Sequence, residues 1–178
     1  MNEYTSAIIA KVGLTELPRN AKTTHLSSLA HLFAESPSEE QLKLDPIVYA
    51  VERVEPADDQ TPEFSLTTIQ PGVVGTEFFF TRGHDHKPAK GETYFCVSGR
   101  GGLIVERDGS AEWLPMEPGT VIQLRAGWAH RTVNAGDEPF VFAGQYIAPF
   151  EVDYAISERG FIGRVHTDGN SGVKVIYK

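Results

Sequence analysis

TRGHDHKPAKGETYF, residues 81–95, carries two histidines one residue apart and then a glutamate at the start of an aromatic, strand-like run. Alternate side chains of a strand point to the same face, so His84 and His86 share a face. Glu92 and Tyr94 share a face of the next predicted strand for the same reason. The spacing therefore predicts a hairpin that offers two imidazoles and a carboxylate.

The sequence beyond this stretch shows the same period of two residues. From Pro46 onward, nine short runs rich in β-branched or aromatic residues are separated by Gly, Pro, Asp or Asn. The runs are PIVYAVERV (46–54), FSLTTI (64–69), TEFFF (76–80), TYFCV (93–97), GGLIVERD (101–108), EWLPM (112–116), TVIQL (120–124), HRTVN (130–134) and FVFAGQYI (140–147). Nine strands joined by turns predict an all-β sandwich or barrel.

The first 45 residues follow a different pattern, and we predict an N-terminal extension with short helices at 1–45 before a barrel domain at 46–178. In THLSSLAHLFAES, residues 24–36, apolar residues recur every three or four positions, which predicts a short helix with one apolar face. The following SPSEE predicts a helix stop and then a turn or a short capped helix. We expect these pieces at the surface rather than in the core.

Charge and composition exclude several classes of partner. The 178 residues carry a net charge of −8 without a long run of Lys and Arg, so we expect no nucleic-acid binding. The apolar run Ala7–Ala10 is too short for a signal-peptide core, and no run is long enough to span a membrane. We therefore expect a soluble, cytoplasmic protein. The single cysteine, Cys96, cannot form an internal disulfide and fits a reducing compartment.

A third histidine completes a possible metal centre. GTVIQLRAGWAHRTVN, residues 119–134, places His130 at the start of another predicted strand. Three imidazoles, from His84, His86 and His130, together with the Glu92 carboxylate can bind a divalent transition metal. Mg²⁺ and Ca²⁺ are disfavoured because they prefer oxygen ligands.

The spacing of these residues resembles the two motifs of the cupin superfamily. The first motif is His-x-His, five residues, Glu92, six residues and Gly99, and the second is Gly119, five residues, Arg-Ala-Gly, two residues, His130, three residues and Asn134. Arg125 stands where the second motif usually has proline, and the gap before Glu92 is longer than usual. The resemblance implies a cupin double-stranded β-helix, a jelly-roll barrel with a metal inside.

Over about residues 64–165 the chain more closely resembles the cupin-type glucose-6-phosphate isomerases, the archaeal form of that enzyme. The resemblance rests on SLTTIQPGVVGTEFFFTRGHDH, ETYF, GGLIVERDG, MEPGTVIQL, WAHRTVNAGDEPFVF and Tyr146. It implies a metal-dependent aldose–ketose isomerase that interconverts glucose 6-phosphate and fructose 6-phosphate. The implied metal ligands are His84, His86, Glu92 and His130. The implied ion is Fe²⁺, with Mn²⁺, Ni²⁺ or Zn²⁺ as substitutes.

The same resemblance implies a substrate site. Thr67, Thr81 and the backbone of Gly83 would bind the phosphate of the hexose, and Tyr94 and Tyr146 would line the sugar site. The residue types agree with this role, because hydroxyls and a glycine N–H can bind an oxyanion. Thr67 and Thr81 are equally typical of ordinary strands, and both tyrosines could be packing residues.

Isomerisation requires a proton to leave C2 and arrive at C1, and Glu92 is the candidate base, with Tyr94 beside it on the same face. A hydride shift between the two carbons would use the same ligands, so both mechanisms stay open. One departure from the family affects ring opening. Val152 occupies a place where members of the family carry a histidine, so either another group, such as a tyrosine or water, would have to open the sugar ring or the protein would accept only the open form.

Small β-barrels leave sheet edges that need covering, and the run PIVYAVERV together with the N-terminal helix region adds apolar surface beyond the barrel motifs, so we expect a homodimer. The same set of ligands could serve an iron-dependent dioxygenase, because fold alone does not decide chemistry. A cupin that binds a sugar without turnover is the second rival.

Overall fold

The computed structural model describes residues 22–54, 62–147, 151–170 and 172–178. Antiparallel strands make up most of this part of the chain. They are β1 (Lys22–His25), β2 (Ile47–Val54), β3 (Glu63–Ile69), β4 (Val73–Val74), β5 (Glu77–Phe78), β6 (Asp85–Lys87), β7 (Glu92–Ser98), β8 (Gly101–Arg107), β9 (Ser110–Met116), β10 (Val121–Leu124), β11 (Ala129–Asn134), β12 (Phe140–Tyr146), β13 (Glu151–Asp153), β14 (Gly163–Thr167) and β15 (Val173–Tyr177). The helices are α1 (Leu26–Leu29), a 3₁₀ turn (Ala30–Leu32), α2 (Glu39–Leu44) and α3 (Ala155–Arg159).

The nine strand predictions are confirmed, with shifted boundaries. The run TEFFF is the weakest of them, because it forms only the two-residue β5 and an isolated bridge between Phe80 and Val133. The C-terminal hairpin of β14 and β15 was not predicted from the sequence, although both strands carry β-branched residues.

The strands enclose one main apolar core. The largest sheet has the order β1–β2–β3–β12–β7–β10, and the others are β11–β8–β9, β15–β14–β5–β4 and β13–β6. Neighbours that are far apart in the chain, such as β3 with β12, give the crossed connections of a jelly roll. The largest fully buried side chains of the core are Phe80, Phe140 and Phe161.

The predicted hairpin between the histidine pair and Glu92 is wrong. His86 lies in β6, which pairs with β13, whereas Glu92 begins β7, which pairs with β10 and β12. His84 instead forms an isolated bridge with His130. The four side chains come together because their strands surround the same interior, although β6 and β7 are not paired with each other.

The expectation that residues 24–36 lie at the surface is also wrong. The predicted helix is broken into α1 and the 3₁₀ turn, and Leu26 and Phe33 belong to the barrel core. The Phe33 ring lies 4.2 Å from that of Phe80, centroid to centroid. The predicted short capped helix is confirmed as α2, where Ser38 and Gln41 form a capping box. The domain division at residue 45 stays a prediction.

Cys96 is a free thiol that is fully buried in the core. Within the described ranges, no helix combines the length and apolar character that a membrane crossing requires.

Candidate metal centre and substrate pocket

Four side chains that the sequence singled out converge inside the barrel. Their ligand atoms, from His84, His86, Glu92 and His130, all lie within 4.8 Å of one another. The backbones of His84 and His130 exchange two hydrogen bonds, of 3.0 and 2.9 Å, which bring the two predicted motifs into direct contact. His86 and Glu92 complete the group from β6 and β7.

The imidazole nitrogens are arranged as metal ligands would be. Nε2 of His84 lies 2.9 Å from Nε2 of His86, so the lone pairs of two rings converge on a small space. His130 donates Nδ1–H to the carbonyl oxygen of Trp128 at 3.1 Å, which leaves its Nε2 as the nitrogen with the lone pair. This buried Nε2 makes no hydrogen bond to the described residues.

The protonation state of His84 also suits a metal. Desolvation by burial, reinforced by the neighbouring His130, lowers the pKa of His84 to about 3, so the ring is neutral at pH 7. Neutral imidazole is the form that binds metals. Three nitrogens and one carboxylate fit a divalent transition metal, and the residues therefore fit the predicted ion class.

Glu92 is ionised in this environment. Burial by itself raises the pKa of Glu92, but the adjacent imidazoles of His130 and His86, together with the hydrogen bond from the Tyr94 hydroxyl, outweigh burial and hold the pKa well below its usual range. Its oxygens lie 2.9 Å from His86 Nε2 and 3.4 Å from His130 Nε2. The Tyr94 hydroxyl donates a hydrogen bond to Glu92, and burial raises the pKa of Tyr94, so the phenol stays protonated.

A pocket opens onto the cluster and is lined by every substrate residue predicted from the sequence. These are Thr67, Thr81, Gly83, Tyr94 and Tyr146. His84, Glu92 and His130 form part of the same lining. One cavity therefore contains both the candidate metal ligands and the candidate hydrogen-bond donors to the substrate phosphate. The individual roles of these residues stay predictions.

The hydroxyl of Thr81 is available to a ligand. Thr132 N–H donates to Thr81 Oγ1 at 3.1 Å, so one lone pair of the hydroxyl is occupied and its proton is free to be donated elsewhere. Val152 also lines the pocket, and it lies opposite His86 in the pairing of β13 with β6. The wall at this point is apolar.

Sequence reasoning missed further residues of the pocket. Arg53 and Tyr49 lie on the inner face of β2, and Tyr154 lies after β13. In the strand register Arg53 is opposite Ser65, in the row that continues through Gly144 to Tyr94. The alternation of PIVYAVERV was a usable signal, because it puts Tyr49 and Arg53 on the same face.

The positive charge of Arg53 affects the pKa of Tyr146 in the pocket. Burial raises the pKa of Tyr146 to about 12, and the positive charge of Arg53 opposes that rise. Arg53 is exposed, so its guanidinium is a cation at the solvent side of the pocket.

The barrel and its cluster define the class of protein. A variant of the oxalate decarboxylase of Bacillus subtilis superposes on 68% of this chain and 30% of its own, with a TM-score of 0.50 and 23% identity. At that identity the likeness shows the fold alone, and the fold is that of the cupins. The predicted all-β cupin barrel is thereby confirmed.

Comparison of sequences narrows the class to one family. The family model for glucose-6-phosphate isomerase matches residues 25–177. The glucose-6-phosphate isomerase of Thermococcus onnurineus is 42% identical over 98% of this chain and 96% of its own length. That of Pyrococcus abyssi is 45% identical over 85% of this chain and 82% of its own. The chain belongs to the glucose-6-phosphate isomerase family, which confirms the resemblance seen in the sequence.

Proposed function

We propose that the chain interconverts glucose 6-phosphate and fructose 6-phosphate with the help of a bound divalent metal. The observation that carries the proposal is the single cavity that joins a three-histidine, one-glutamate cluster to hydroxyl and backbone donors. Membership of the isomerase family supports the reaction. Rival cupin chemistries, such as iron-dependent oxygenation, have no comparable support.

The proposed metal ligands are His84, His86, Glu92 and His130, and the proposed native ion is Fe²⁺, with Mn²⁺, Ni²⁺ or Zn²⁺ as substitutes. When bound, the ion would supply positive charge for the oxygens at C1 and C2, where negative charge develops during isomerisation. The nitrogen-rich donor set and the buried, unbonded His130 Nε2 support a transition metal in this position.

Substrate binding and proton transfer are carried out by residues of the protein. Thr67, Thr81 and the Gly83 N–H bind the phosphate group, which does not react, and they hold the sugar in register. Tyr146 lines the sugar site. Glu92 takes the proton from C2 and returns it to C1, and Tyr94 holds the Glu92 carboxylate by the hydrogen bond described above.

Chelation tests the proposal directly. Protein treated with EDTA and then passed through a desalting column should lose its activity in a coupled assay on fructose 6-phosphate. Fe²⁺ or Mn²⁺ added to the same sample should restore it, with metal content measured alongside. Full activity of protein shown to be free of metal would contradict the metal requirement, and no activity in any metal-loaded sample would contradict the reaction.

We further infer a homodimer in the cytoplasm. Phe95 and Val121 lie opposite each other in β7 and the edge strand β10, and they are 41% and 57% exposed. An apolar pair on a sheet edge favours coverage by a second copy. Sedimentation equilibrium should give twice the chain mass, and Val121→Lys should shift the equilibrium toward monomer. A monomer at every concentration would contradict the inference.

A further inference from the structure

Segment 81–83 forms part of the pocket wall and contains Thr81 and Gly83, two of the residues proposed to donate hydrogen bonds to the substrate phosphate. Its ends are fixed to β11, because Thr81 N–H donates to Thr132 O at 2.9 Å and His84 N–H donates to His130 O at 3.0 Å. Between these two anchors the backbone makes no ladder hydrogen bonds to any strand in the described part of the chain. The orientation of the middle peptide must therefore be set by side chains.

Two side chains fix that peptide through its carbonyl group. Arg131 Nη2 donates to the carbonyl oxygen of Arg82 at 2.9 Å, and the Ser157 hydroxyl lies 2.7 Å from the same oxygen. Ser157 also contacts the carbonyl oxygen of Gly83, so its one proton is shared between two acceptors. Ser157 and Arg131 are 1% and 2% exposed, and these hydrogen bonds are shielded from water.

The carbonyl of Arg82 and the N–H of Gly83 belong to the same peptide unit. In a trans peptide these two groups point in opposite directions. Arg82 and Gly83 both line the pocket, whereas Ser157 and Arg131, which hold the carbonyl, are not part of the lining. The N–H of Gly83 is consequently turned toward the cavity. No described residue accepts a hydrogen bond from it.

Packing around this peptide requires glycine at position 83 and holds the Arg131 side chain in place. Gly83 has a φ of +78°, a conformation that other residues rarely adopt, and a Cβ there would meet the Phe161 ring at 2.7 Å. Arg131 is itself held in place, because its guanidinium carbon lies 4.0 Å from the centroid of the Phe80 ring and 4.7 Å from that of Phe161. The peptide is thus clamped on the side away from the pocket.

We propose that Ser157 and Arg131 are positioning residues for substrate binding, which orient the Gly83 N–H as a donor to the phosphate oxygens of the sugar. The proposal rests on the proposed function for the nature of the substrate. An N–H that is already oriented, and has no competing acceptor within the described residues, binds an anion without first breaking a hydrogen bond. Loss of the Ser157 hydroxyl should free the peptide and weaken anion binding.

The test follows the Gly83 amide directly by ¹⁵N NMR of the full, Zn²⁺-loaded chain, with inorganic phosphate as the probe. In the unmodified protein the Gly83 amide resonance should move downfield and saturate as phosphate is added. Ser157→Ala should need about 3- to 30-fold more phosphate for the same shift, the range that corresponds to one or two hydrogen bonds. Ser157→Thr, which keeps the hydroxyl, should behave like the unmodified protein.

Ser98→Ala is the matched control. Its hydroxyl oxygen is also buried, but it has no hydrogen-bond partner among the described residues, so its loss should leave the phosphate titration unchanged. Thermal unfolding and zinc content of each variant should be recorded on the same samples. Equal titrations for Ser157→Ala and Ser98→Ala would overturn the proposal. A Gly83 amide that does not respond to phosphate in the unmodified protein would overturn it without any variant.

Kinetics give an independent readout. In Ser157→Ala the KM for fructose 6-phosphate should rise about 3- to 30-fold while kcat changes little, because the phosphate does not react. A fall in kcat with an unchanged KM would contradict a positioning role in phosphate binding. If the unmodified protein shows no isomerase activity but Gly83 still responds to phosphate, the proposed reaction fails and the inference about the donor stands.

Discussion

Replacing Arg164 by methionine should destabilise the fold more than any comparable change at the surface. Arg164 Nη1 lies 2.8 and 2.9 Å from the two carboxylate oxygens of Glu77 and donates to the carbonyl oxygen of Leu32 at 3.1 Å. The side chains of the pair are only 9% and 2% exposed. Glu77 also accepts the N–H of Ala34 at 2.8 Å, so the pair ties the segment after α1 to β5 and β14.

The size of the effect follows from this burial. Removing one partner of a buried ion pair leaves the other charge uncompensated and costs about 3–5 kcal/mol. For a chain of this length, each kcal/mol lowers the melting temperature by roughly 2–4 °C, so we expect a loss of about 6–20 °C. Met retains most of the apolar volume of the Arg stem, which separates the loss of charge from the loss of packing.

Two further variants make the result specific. Arg107→Met removes an exposed pair with Asp108, whose side chains are 49% and 86% exposed, and it should cost less than about 1 kcal/mol. The double variant Glu77→Gln with Arg164→Met leaves no buried charge at the pair and keeps an acceptor for Ala34. It should be more stable than Arg164→Met alone. Equal losses for Arg164→Met and Arg107→Met in chemical denaturation would refute the reasoning.

Three other predictions concern the site and the core. Glu92→Gln in protein shown to be metal-loaded should lower kcat by roughly 10²- to 10⁴-fold, the usual contribution of general acid–base catalysis, and near-normal turnover would favour a hydride shift instead. Thr67→Val and Thr81→Val should raise the KM for fructose 6-phosphate with the metal content unchanged, and unchanged kinetics in both would return these residues to a structural role. Burial raises the pKa of Cys96 to about 11 from an ordinary 9.0. At pH 8 its thiolate fraction is then roughly a hundredfold lower, so alkylation by iodoacetamide, followed by mass spectrometry, should be at least that much slower in folded than in urea-unfolded protein.

The parts of the fold that sequence could predict are those set by local pattern. Strands such as β3 and β8 follow from alternation and β-branched residues, and the capping box of α2 follows from four adjacent residues. Strand partners do not follow from such patterns. The pairing of β6 with β13 joins residues more than 60 positions apart, and no local signal distinguishes it from the hairpin with β7 that was predicted.

The same distinction applies to burial and to the site. An amphipathic face indicates that α1 must pack on something, but not that the barrel core will cover Leu26. The cluster of candidate metal ligands was predictable because the spacing of its residues matches a motif. Ser157 was not, because it acts on backbone carbonyls 74 and 75 positions away and carries no motif of its own.

Proposed phosphate binding and proposed metal binding both depend on one short piece of backbone. Thr81, the first residue of segment 81–83, donates a backbone hydrogen bond to Thr132 of β11. His84, which follows the segment, donates one to His130 of the same strand. Because β11 is a regular strand, its rise sets the distance between the backbones of the proposed phosphate-binding residue Thr81 and the proposed metal ligand His84. A substrate that binds at both ends must therefore match that separation, and the reacting carbons are placed by a phosphate that takes no part in the chemistry. In this arrangement, binding energy from the unreactive end of the sugar is used to orient the reactive end.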